Sequence, residues 1–147
     1  MNKRKDICII LVVAILLSLS THIQAQAQVI DRKEDEIFDP RYEHTMRTGA
    51  GVTFIDGIAY VTGSVTGYQS RTTKINGFLY LQHKIGSDWM IVKTWSDSVN
   101  DWSLDLAGEA KGLSSGTYRV RFVTYVYEGD EPEEVIYISK EVVYTKK

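Results

Sequence analysis

Little in this chain has the residue types and spacing that catalysis requires. Of its three histidines, His22 falls in an N-terminal leader, His44 in a charged segment and His83 inside an alternating run of β type. An imidazole acts as a general base only when a reacting group and an orienting partner are placed around it. No G-x-S-x-G, H-E-x-x-H or phosphate-cradling glycine loop accompanies any of them, and His83 reads as a structural residue. Asp97, Asp101 and Asp105 are close enough in sequence to suggest the carboxylate pair of a glycosidase, yet acids so placed read as solvated turn residues. Glu128, Asp130, Glu131, Glu133 and Glu134 offer the oxygen ligands that calcium takes. They lack the ordered spacing of a calcium loop and read instead as a charged hairpin tip that resists edge-to-edge association. The single cysteine, Cys8, lies in the leader, so a processed domain would have no disulfide, thiolate metal site or cysteine nucleophile. No cofactor and no metal is expected.

The residues with more promise are aromatic and basic. In the run 117–127, placing Tyr118 inward sends Arg119, Arg121, Val123, Tyr125 and Tyr127 to the opposite face. By the same alternation Phe78, Tyr80 and Gln82 face outward from the run 75–85, and Tyr137 of the last run is a further candidate. Tyrosine beside arginine provides rigid, amphipathic contact area and directional hydrogen bonds, a composition enriched at recognition hot spots. Tyr80, Arg119, Arg121, Tyr125 and Tyr127 are therefore the expected partner-binding residues. Cover by the N-terminal arm and ordinary sheet surface are the competing readings of the same face. Trp89 and Trp95, on one face of their run with Ile91, form the alternative site, a stacking platform for carbohydrate. Trp102 is expected in the core through its spacing with Leu104 and Leu106.

These side chains need a scaffold, and the N-terminus says where it works. Lys3, Arg4 and Lys5 precede an apolar run over 7–19, and Gln24-Ala25-Gln26-Ala27 supplies the small residues of a signal-peptidase site. The run is shorter than the roughly 20 residues a helix needs to cross the hydrocarbon core. Cleavage after Ala27 is expected, with a retained anchor as the alternative, and a secreted, extracellular protein follows. Losing the leader leaves 14 basic and 18 acidic residues. That balance speaks against a nucleic-acid partner, which would need a basic face. Residues 29–47 are charged and without period, and 28–50 is read as a mobile arm.

From 51 onward the pattern is short β runs between turns: 52–55, 58–66, 75–85, 89–95, 102–106, 117–127 and 135–144. With no helical period of useful length, about seven strands indicate an antiparallel sandwich over 51–147. Leu113-Ser114-Ser115-Gly116-Thr117-Tyr118-Arg119-Val120 places a turn, a glycine and a tyrosine at the start of a long strand. This resembles the tyrosine corner of immunoglobulin-like and fibronectin-type-III-like sandwiches. The resemblance covers roughly 51–144 and implies an inward Tyr118 whose hydroxyl bonds back to the preceding crossover. It carries no activity, and the disulfide with its packed tryptophan found in antibody domains is absent. The layout of leader, charged spacer and sandwich also resembles the small secreted β proteins of Gram-positive bacteria grouped as families of unknown function. Leu81-Gln82, Gly86-Ser87-Asp88-Trp89 and Gly116-Thr117-Tyr118 carry that likeness, which implies location and fold but no substrate.

The reading as a whole is an all-β, antiparallel, immunoglobulin-like sandwich acting as a secreted, non-catalytic binding module. Its expected partner is an extracellular protein or glycan. A polysaccharide- or cell-wall-binding accessory module is the alternative, and a small secreted hydrolase the third.

Overall fold

Asp56 and Gly57, with φ of 49° and 78°, reverse the chain in two residues. Asp-Gly is the pairing that a tight hairpin with two positive φ angles requires. The strands it joins, β1 (Thr45–Ile55) and β2 (Ile58–Gly67), pair antiparallel from Ile55↔Ile58 to Thr45↔Gly67. The structure is a computed structural model describing residues 42–147. The expected leader, 1–27, and the arm as far as residue 41 lie outside the described residues.

Six further strands follow: β3 (Lys74–Ile85), β4 (Asp88–Val99), β5 (Ser103–Ala110), β6 (Gly116–Glu128), β7 (Glu131–Ile138) and β8 (Val142–Tyr144). They form two antiparallel sheets, one ordered β1-β2-β5 and the other β4-β3-β6-β7, with β8 also on β6. The chain is an all-β antiparallel sandwich, and its strand order is that of the immunoglobulin-like class with the fourth strand in the sheet of the third. No helix among the described residues is long and apolar enough to cross a membrane.

Alternation sets which residues meet between the sheets. Ala59, Val61 and Val65 of β2 face Ile75, Leu79 and Leu81 of β3 and Val120, Phe122 and Val126 of β6, all nearly inaccessible to water. Each fully buried large aliphatic or aromatic side chain among them contributes about 1.5–3 kcal/mol. Tyr118 joins this core by its ring, and its hydroxyl donates to the Ser114 carbonyl at 2.8 Å. That bond satisfies the polar tip and ties the crossover to the start of β6. His83 lies flat on the same ring, centroids 4.4 Å apart.

β4 and β5 each run four residues further than expected, and two other boundaries depart in ways that have a physical cause. The first strand begins at Thr45, inside the segment 28–50 read as a mobile arm. Its first half shows no apolar alternation because the inward positions are threonines, Thr45 and Thr48, both buried. Ladder bonds to β2, not side-chain hydrophobicity, hold it. His44, placed by sequence in the arm, packs at the foot of this strand with Nδ1 3.2 Å from Glu128 Oε2. At the other end of the chain, the run expected over 135–144 is broken. Tyr118 pairs with Val142 and Arg121 with Ile138, so one extra residue is accommodated opposite β6. Ser139 fills the gap: its N–H donates to the Val120 carbonyl at 2.9 Å, and its Oγ accepts the Val120 N–H at 2.8 Å. The break turns the expected seven strands into eight.

Candidate interaction face

β6 runs through the middle of its sheet, flanked by β3 and β7, so its outward side chains are bordered on both sides. Register fixes the rows. Tyr80 lies opposite Arg121 and Arg121 opposite Ile138; Phe78 lies opposite Val123 and Val123 opposite Ile136. Asn76 lies opposite Tyr125 and Tyr125 opposite Glu134, and Gln82 lies opposite Arg119. Directly opposed residues point to the same side of a sheet. Tyr80, Arg119, Arg121, Tyr125 and Tyr127 therefore stand together on one outward face. Val123 is 5% exposed although it points outward, because Phe78 and Ile136 flank it.

The basic groups of this face lie against rings. The Arg119 guanidinium stands 4.0 Å from the Trp89 ring centre, and Arg119 Nε donates to Gln82 Oε1 at 2.9 Å. The Arg121 guanidinium is 5.9 Å from the Tyr80 centre, Lys84 Nζ 5.3 Å from Trp89, and Lys74 Nζ 5.6 Å from Tyr127. No carboxylate among the described residues pairs with either arginine. Two acids reach this face: Glu134 accepts the Tyr125 hydroxyl at 2.8 Å, and Glu141 pairs with Lys84 at 3.5 Å. The first bond, with the charge of Glu134, holds the Tyr125 hydroxyl above the ordinary phenol value. Phe78 meets Tyr125 edge-on at 6.3 Å. The arrangement presents planar cationic forks on aromatic supports beside an apolar strip whose outer edge, Ile136 and Ile138, is exposed. Its chemical competence is recognition of carboxylate- or phosphate-like groups and of apolar surface.

Three placements correct the sequence reading. Trp89 and Trp95 do not share a face. Leu81 opposes Lys93 while Gln82 opposes Ile91, so Val92 is an extra residue that flips the alternation between the two tryptophans. Trp89 faces outward beside Arg119. Trp95 opposes Leu79 and turns inward, packing on the core. A Cβ on Gly108 of β5 would overlap its indole, so the glycine is what lets Trp95 close the open side between the sheets. Lys93 reinforces that closure by donating to the Glu109 carbonyl at 2.6 Å. Tyr137 is also inward, opposite Phe122; its neighbours Ile136 and Ile138 are the outward ones, an alternation legible beside Val135. Trp102 precedes β5 and is 37% exposed rather than core.

The remaining candidates are dispersed. Asp97 and Asp101 accept the backbone N–H of the next residue, at 2.8 and 2.6 Å, and Asp105 is exposed on β5. The acidic run is mostly strand rather than turn, since only Gly129 and Asp130 separate β6 from β7; Glu128 pairs with Arg71 at 2.6 Å, and Glu133 accepts the backbone N–H groups of Glu43 and His44. The Arg71 hydrogen bond holds the Glu128 carboxyl below the usual carboxylate value. No group of three or more potential metal ligands occurs among the described residues. A cleft of about 630 Å³ at the β1–β2 turn, lined by Phe54, Asp56, Leu113, Tyr144 and Lys146 among others, contains no histidine.

No known protein-family model matches the chain. Ferredoxin–NADP reductase 2 of Cupriavidus metallidurans is 28% identical over 103 residues, 63% of this chain and 26% of that protein. The namesake protein of Cupriavidus necator is 27% identical with the same coverage. The chain thus spans about a quarter of the length of these curated relatives. Among solved structures, wild-type OgpA from Akkermansia muciniphila is similar over 70% of this chain and 31% of its own, at 13% identity and a TM-score of 0.38.

Proposed function

We propose that this protein is a secreted, non-catalytic binding module whose recognition surface is the outward β3–β6–β7 face. The observation that carries the reading is the convergence of Tyr80, Arg119, Arg121, Tyr125 and Tyr127 on that face, with both guanidinium groups on rings and without a carboxylate among the described residues. A solvated arginine costs little, but an arginine stacked on an aromatic ring is pre-oriented and loses less freedom when it binds. Exposed Ile91, Ile136 and Ile138 extend the area that a partner would cover. An extracellular protein is the partner this composition suits best. The leader motif supports the location.

The test is retention of the purified domain on two matrices in parallel, insoluble cell-wall polysaccharide and an extract of surface proteins, with an Arg121→Ala/Tyr125→Ala variant beside the parent. Retention of a protein by the parent alone supports the reading. Equal retention of parent and variant on polysaccharide replaces it with a glycan module that works elsewhere on the surface. Trp89, standing alone on this face, and not a Trp89–Trp95 pair, would then be the ring to test for sugar stacking.

A further inference from the structure

The outward face carries an ordered sequence of charges along β6. Arg119, Arg121, Val123 and Tyr125 follow one another at every second residue, about 6.6 Å apart. Both guanidinium groups lie over rings and without a carboxylate among the described residues. Past Arg119, Lys84 already has Glu141 as its counter-ion, so the unmatched positive charge ends there. Val123 is the centre of an apolar row between Phe78 and exposed Ile136. One level further the charge changes sign. Glu134, opposite Tyr125, is exposed, takes the Tyr125 hydroxyl and pairs with no cation among the described residues. From Arg119 onward the face thus reads cation, cation, apolar, anion.

An extended chain laid face to face along β6 carries its alternate side chains at the same period. We infer that the partner presents such a segment, its alternate side chains acid, acid, apolar and base. The acids seat on Arg119 and Arg121, the apolar residue on the Val123 row and the base at Glu134. This rests on the recognition face proposed above and names what the partner shows to it: Glu-x-Glu-x-Leu-x-Lys or the same order reversed. Either direction serves, because face-to-face packing has no ladder hydrogen bonds to fix one. A second copy of this chain is a poor occupant, since the acids of its own face, Glu134 and Glu141, already serve Tyr125 and Lys84. An acidic glycan would satisfy the arginines but leave the apolar row in water and set like charge against Glu134.

Fluorescence anisotropy of labelled peptides on the full chain tests it. Glu-Ser-Glu-Ser-Leu-Ser-Lys, or its reverse, should bind at least tenfold tighter than the permuted Glu-Ser-Leu-Ser-Lys-Ser-Glu, which has the same composition. Equal binding of ordered and permuted peptides overturns the inference. Tighter binding of polygalacturonate than of either ordered peptide overturns it too, and assigns the face to an acidic glycan. A charge swap tests the register. Arg121→Glu should weaken the ordered peptide at least tenfold and regain it when lysine replaces the acid nearer the leucine. Arg119→Glu, with lysine in place of the other acid, is the second pair, and recovery shows that each variant is folded. No recovery in either pair overturns the register. If every peptide fails while Arg121→Ala/Tyr125→Ala still loses the retained protein, this inference falls and the recognition face stands. Retention unchanged in that double variant sinks the face itself, whatever the peptides do.

Discussion

The Arg119 guanidinium lies 4.0 Å from the Trp89 ring centre, which joins two residues that sequence assigned to different sites. The extra residue in β4 causes it. Without Val92 out of register, Trp89 would point to the side that Trp95 occupies. The bulge thus divides the tryptophans into one that serves the outward face and one that seals the core.

The Tyr118 hydroxyl has one task here, donation to Ser114, and burial holds it above the ordinary phenol value. Tyr118→Phe keeps the ring contacts with Phe54 and His83 and should lose about 1–2 kcal/mol. Urea unfolding with an unchanged m-value measures this. A variant as stable as the parent would show that the bond to the crossover contributes nothing.

Thr124 is fully buried, and its hydroxyl has no hydrogen-bond partner among the described residues. Thr124→Val keeps the shape and removes the desolvated group, so it should gain about 1 kcal/mol. Differential scanning calorimetry would show a higher Tm. A lower one would mean that the hydroxyl is bonded in solution.

Gly108 leaves space that the Trp95 indole fills. Gly108→Ala should cost about 1–3 kcal/mol and shift tryptophan emission to the red as the ring is displaced. Loss of stability without an emission change would place the damage in the β5 backbone instead.

Much of the fold was legible because alternation is unambiguous where strands are buried on one side, as in β2, β3 and β6. The face residues were legible for the same reason: once Tyr118 is inward, Arg119, Arg121 and Tyr125 must be outward. What escaped has physical causes. Thr45 and Thr48 pack as side chains without signalling hydrophobicity. The extra residues at Val92 and beside Ser139 change register without any glycine or proline to announce them, and so misplace Trp89 relative to Trp95.

Acid should weaken the foot of the sandwich. Arg71 holds Glu128 below its ordinary value of 4.5, so the pair's contribution is complete above that value and is lost as pH falls through the lowered one. As pH falls from above that ordinary value, the parent should therefore lose stability more steeply than Glu128→Gln. Parallel pH profiles of the unfolding midpoint would contradict the assignment.

The measurement that tests the central claim most directly is the affinity of the retained partner for three proteins: the parent, Arg121→Ala/Tyr125→Ala, and Tyr60→Ala on the opposite sheet. Loss of two central contacts of an Arg/Tyr hot spot should weaken binding by about 2 kcal/mol or more, over tenfold. Tyr60→Ala should bind like the parent. Equal affinity of the face variant and the parent, or a loss confined to Tyr60→Ala, would contradict the outward β3–β6–β7 face as the recognition surface.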